Sequence, residues 1–178
     1  MISLKNIHQE IKIDADSHHT WLALAKYGDV SEFHAGVMKS YPETGNENQA
    51  SAGCERICEI KDMGLHITLK ERIIDYKEGR SYKYEVYEWK NFPLRQMFFT
   101  FKILHSTASQ TILSLDIDYK AKPAFLTSIM AGKMNRLAKS ILLGYKHYIE
   151  TNEIRTPISQ LKSRYKSDNF VGAQYDFS

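Results

Sequence analysis

The chain has no run of apolar residues approaching the ~18 that would suggest a membrane-spanning helix. Its opening, "MISLKNIHQEIKID", lacks the apolar core of a secretory signal. A cytoplasmic protein without an integral membrane segment is therefore expected. Cysteine is scarce. Cys54 and Cys58 are the only two, and on one strand their side chains would stand too far apart for a relaxed disulfide, which makes both reduced thiols. Neither acidic nor basic residues dominate. The net charge is +3 and the basic residues are scattered, apart from a small gathering at "LKSRYK", 161–166. With neither a basic stripe nor a binding motif, nucleic acid is not an expected partner.

Metal and nucleotide signatures are equally thin. His18 and His19 are adjacent, so on a helix they diverge by about 100° and do not share an ion. His34 stands in a second element without an evident third ligand. No HExxH, paired CxxC, P-loop, Gly-rich nucleotide loop or Ser-His-Asp order occurs. Neither a metal nor a cofactor is expected, and no residue is singled out as catalytic.

What the chain does have is aromatic residues, eleven Tyr and eight Phe among 178 residues. One domain of this size can build a large core or line a cavity, and aromatic rings suit either task. Segment 6–14, "NIHQEIKID", alternates as a half-buried strand, with Ile7, Gln9, Ile11 and Ile13 on one side. Asp16 or Ser17 can cap a helix through Trp21, Leu22 and Leu24 that ends before Gly28. A second short helical stretch follows at 29–33. The polar segment 41–50, "YPETGNENQA", reads as a loop.

From about 53 to 120 the chain becomes a series of alternating segments, as in an antiparallel meander. With Met63 and Gly64 as a two-residue turn, the pairs Ile60–Ile67, Cys58–Leu69, Arg56–Glu71 and Cys54–Ile73 share one face. That face is apolar except for one opposite-charge pair, and a one-residue slip would destroy the separation. Strands follow at 82–89 (Tyr82, Tyr84 and Val86 together), 95–104 (Met97, Phe99, Phe101, Ile103) and 111–119 (Leu113, Leu115, Ile117, Tyr119). From about Phe125 to Glu150 one long helix is expected, with Met130, Met134, Leu137, Ile141, Tyr145 and Tyr148 on one apolar stripe. The fold class is α+β: a curved antiparallel sheet gripping a long C-terminal helix, with two short helices after the first strand.

This order of elements resembles the START-like helix-grip superfamily, and especially its polyketide cyclase/dehydrase branch. The segments "IKIDADSHHTWLALAKYGDVSEFHAGV", "GCERICEI", "LKERIIDYKEGRSYKYEV" and "LAKSILLGYKHYIE" are similar to that branch's opening strand and helices, its paired Arg and Glu-Arg strands, and its closing helix. The resemblance covers about 5–150, so the domain is taken as 1–150. Residues 151–178 form a C-terminal extension, either disordered or docked on another chain through Tyr165, Phe170, Tyr175 and Phe177.

The resemblance implies a cavity between sheet and helix for a hydrophobic or amphipathic small molecule. Its wall would include Arg56, Glu71, Tyr82, Tyr84, Phe99, Phe101, Leu115, Tyr119, Met130, Met134 and Ile141. Arg56 and Glu71 read either as a self-satisfied ion pair or as groups that meet a ligand's carboxylate or enolate. Three functions are consistent with this: a carrier of a lipid, isoprenoid or polyketide-like ligand, a metal-free cyclase or dehydratase, and a protein-interaction module with a vestigial cavity. The first is preferred. A transient membrane contact is compatible with it, and no oligomeric state is assigned.

Overall fold

The computed structural model describes residues 3–44, 49–166 and 169–171. Strand β1 (Lys5–Ile13) buries Ile11 and Ile13. It hands over to α1 (Ser17–Ala25), where the Asp16 carboxylate accepts the His19 backbone N–H at 2.8 Å. That N-cap satisfies one of the helix's free donors. His18 and His19 lie exposed on the first turn, while Trp21 and Leu24 are buried. Leu22, on the same helix, is exposed. The expected second helical stretch is a 3-10 helix, Tyr27–Glu32.

Strands β2 (Val37–Thr44), β3 (Glu55–Asp62), β4 (Leu65–Lys77), β5 (Ser81–Lys90), β6 (Leu94–Ser106) and β7 (Thr111–Ala121) complete the sheet. All seven strands pair antiparallel in the order β1-β7-β6-β5-β4-β3-β2. The β3–β4 register pairs Ile60 with Ile67, Cys58 with Leu69 and Arg56 with Glu71, as the hairpin pattern predicts. The Ile73 N–H donates to the Cys54 carbonyl at 2.9 Å, which extends the same alignment. Met63 (φ 47°) and Gly64 (φ 81°) make the left-handed turn between the strands, the two-residue hairpin geometry that matches strand twist.

Two expectations are corrected. The segment read as a polar loop begins as the second half of β2. This is an edge strand with register shifts on both sides of its middle and Pro42 within it, and edge strands tolerate proline and need no hydrophobic alternation. The single long helix is two: α2 (Leu126–Ile129) and α3 (Ala131–Thr151), with Met130 between them. α3 buries Met134, Ala138, Ile141, Leu142 and Tyr145 against the sheet, and packs directly on β1 and β7.

Beyond α3 the chain turns back on its own domain. The Arg155 N–H donates to the Glu32 carbonyl at 2.7 Å. Leu161 of α4 (Ile158–Arg164) is buried, and the Tyr165 hydroxyl hydrogen-bonds His147 Nδ1 at 3.0 Å. Phe170 bridges to Ile11, and the Val171 N–H donates to the Glu10 carbonyl at 3.0 Å. Tyr175 and Phe177 lie outside the described residues.

Candidate functional site

A cavity of about 280 Å³ lies between the sheet and the N-terminal half of α3. β3, β4 and β6 supply its floor through Cys58, Ile67, Leu69, Met97, Phe99 and Phe101. α3 supplies the roof through Met134, Leu137, Ile141 and Tyr145, and Ile158 of α4 closes one side. The opening lies between Ala35–Gly36, the Lys61–Asp62 end of β3, and Lys133, residues that are wholly or partly exposed. There the Lys133 ammonium pairs with the Asp62 carboxylate, tying α3 to the hairpin.

At the inner end sits the Arg56–Glu71 pair, both residues under 5% exposed. Arg56 Nε donates to Glu71 Oε2 at 2.5 Å, and its Nη1 donates to the Tyr27 carbonyl at 2.7 Å. The guanidinium lies 4.0 Å from the centre of the Tyr27 ring and 4.8 Å from that of Tyr84, a cation held between aromatic faces. Burial works against the charge on Arg56, but the Glu71 carboxylate outweighs it and holds the guanidinium's pKa well above its ordinary value. The Cys58 thiol is 3.7 Å from Glu71 Oε2, and burial, reinforced by that carboxylate, keeps it protonated. The pair is therefore closed on itself and on the 3-10 helix.

The remaining expected wall residues divide in two. Tyr84, Phe99, Phe101, Met134 and Ile141 line the cavity with Arg56 and Glu71, whereas Tyr82, Leu115, Tyr119 and Met130 do not. Tyr82 is packed edge-on between Trp21 and Tyr27. Leu115 and Tyr119 lie on β7, where α3 packs straight onto the sheet, and the Tyr119 hydroxyl donates to the Thr127 carbonyl of α2 at 2.6 Å. Met130 is half-buried at the α2–α3 break. Parity along a strand tells which face a side chain takes, not which part of that face is open.

A sequence model described as "Polyketide cyclase / dehydrase and lipid transport" matches residues 5–150. The chain belongs to that family. No curated protein sequence matches it. Among solved structures, Ara h 8.0201 is similar at a TM-score of 0.67 and 13% identity, over 84% of this chain and 99% of that one. The ZhuI aromatase/cyclase from Streptomyces sp. R1128 is similar to the same degree, over 84% and 98%. Norcoclaurine synthase from Thalictrum flavum, a truncated form, gives 0.64 and 16%, over 85% and 98%. At such identities the likeness is one of fold.

Within this member of the polyketide cyclase/dehydrase and lipid transport family, several wall residues lie outside the expected set, among them Cys58, Leu69, Met97, Tyr145 and His34. Of these, His34 is the one whose ring nitrogens can donate and accept hydrogen bonds. His34 follows the 3-10 helix, is 6% exposed, and lines the cavity beside Arg56. Burial first, then the charge on Arg56, push its pKa from 6.5 down to about 4. The imidazole is neutral at physiological pH. It stands between Phe33 and the small pair Ala35–Gly36, with no alternation or helical spacing to say which side the ring takes. The mid-helix Gly144 is the one signal that could have pointed to it, since glycine there costs stability unless another backbone comes close.

Proposed function

We propose that this chain binds, and by binding carries, a small hydrophobic molecule in the cavity between sheet and helix. The observation that carries this reading is the cavity itself. It is walled mainly by aromatic and aliphatic side chains, with a few polar groups at its inner end and its mouth. Its volume of about 280 Å³ falls just below the roughly 300–1,000 Å³ typical of ligand sites. That size suits a compact ring system better than a long acyl chain. The internal closure of Arg56 on Glu71 and the Tyr27 carbonyl favours binding over cyclase or dehydratase chemistry, because a general acid or base must be free to exchange a proton with the ligand. Both cysteines are free thiols, which suits a reducing cytoplasm.

Native mass spectrometry of protein isolated from its own host tests this. The expected result is a population heavier than the chain alone that releases a small apolar compound. Ile141→Trp, which places an indole in the cavity, should lose the adduct while keeping its circular dichroism spectrum. An adduct retained in that variant, or none in either protein, would overturn the reading.

A further inference from the structure

We propose that His34 is the residue with which the cavity selects its ligand, by hydrogen-bonding a single neutral hydroxyl on an otherwise apolar body. This rests on the cavity being a small-molecule site, as argued above, and adds which group on the ligand it reads.

Three observations converge. The first is that His34 is buried and unpartnered. Its backbone is satisfied, the N–H by the Val30 carbonyl at 2.9 Å and the C=O by the Val37 N–H at 3.0 Å. The residue is 6% exposed, and its ring has no hydrogen bond to any described residue and forms part of the cavity wall. Among the described residues the fully enclosed side-chain atoms without a partner are the Tyr27 and Tyr82 hydroxyls. The His34 nitrogens therefore keep access to the cavity they line, and a polar atom in such a place is satisfied by what the cavity holds.

The second is that the backbone is shaped to put the ring there. A Cβ on Gly144 of α3 would fall 2.2 Å from the Phe33 carbonyl oxygen and 3.7 Å from the His34 Cα, so only glycine lets this segment approach the helix. A Cβ on Gly36 would lie 3.1 Å from the His34 ring carbon Cε1. Gly36 thus lies against the imidazole itself, and Gly144 against the backbone that carries it.

The third is charge. Arg56 and Glu71 cancel each other, and His34 is neutral. A ligand cation would meet the Arg56 charge, and a ligand anion would have to compete with Glu71 for it. A neutral hydroxyl fits instead, because a neutral imidazole offers one N–H donor and one lone pair, and a hydroxyl complements either.

The test compares 2-naphthol with 2-methylnaphthalene, which replaces the hydroxyl by a methyl group of similar size, using calorimetric or fluorescence titration. The wild-type protein should prefer 2-naphthol by about tenfold, the discrimination one hydrogen bond supplies. His34→Leu should bring the ratio close to one while still binding 2-methylnaphthalene, and His34→Gln should restore part of the preference. Without ligand, His34→Leu should melt no lower than wild type, since it removes an unpartnered polar group rather than a contact. If both probes bind and the ratio survives in His34→Leu, the role of His34 is refuted and the carrier reading stands. If neither probe binds wild type, both are refuted. A His34→Leu protein that melts well below wild type, with His34→Gln showing no regained preference, would make the ring a packing element and overturn the proposal.

Discussion

Arg56 shows how a single residue can be placed from sequence while its partners cannot. The alternation around Met63–Gly64 puts Arg56 opposite Glu71 on the inner face, and the structure pairs them at 2.5 Å. The Tyr27 carbonyl and ring that complete its surroundings come from a helix 29 positions away, which no local pattern reveals. Because both charges are buried, removing one strands the other. Arg56→Met should cost about 3–5 kcal/mol in urea denaturation. Arg56→Met with Glu71→Leu should recover most of that, since replacing a buried pair by apolar groups is close to neutral. A single variant that unfolds at the wild-type midpoint would mean that the pair is hydrated.

Among the elements, those with a buried face and a flanking turn were legible. β3 through β7 fall within a few residues of where alternation places them, because each alternates between a core face and a solvent face. β2 was not legible, because among the described side chains of this edge strand, residues 37–43, only Val37 is buried. The break at Met130 was hidden by an apolar stripe that runs on across it. The cavity's outline was the least legible of all, since it depends on where α3 touches the sheet and where it stands away. Gly144 governs part of that spacing. In an ordinary exposed helix Gly→Ala stabilises by about 1 kcal/mol. Here Gly144→Ala should act with the opposite sign, destabilising by ~1–3 kcal/mol as α3 and the Phe33–His34 backbone are pushed apart. Chemical-shift changes confined to α3 and residues 33–36 would accompany it. A gain in melting temperature would refute the close approach.

For the whole molecule, two histidines give stability opposite dependences on pH. His34 has its pKa depressed in the folded state, from 6.5 to about 4, so between those values the unfolded chain binds the extra proton. Stability is therefore complete above about pH 6.5 and is lost as pH falls through 4. At pH 4 the loss from this group is about 3 kcal/mol. His8, on the outer face of the sheet, is shifted the other way. Partial burial would lower its pKa, but hydrogen bonds with the Glu10 and Asp116 carboxylates prevail and raise it. Its contribution is present below pH 6.5 and fades as pH rises through the raised value. Comparing wild type with His34→Leu cancels His8 and the carboxylates common to both. The difference in urea midpoints should widen from pH 7 to pH 4, with wild type the more acid-sensitive. Parallel curves would mean that His34 titrates normally.

The two borders of the sheet are finished in different ways. Along β2, Pro42 and two register shifts interrupt the row of backbone donors and acceptors. Along β1, the returning C-terminal segment lays Phe170 and Val171 against Ile11 and Glu10. A continuous free border is what lets one sheet template another, from chance dimers to fibrils. The same extension that closes one side of the cavity with Ile158 thus also covers part of the β1 margin, at Glu10 and Ile11.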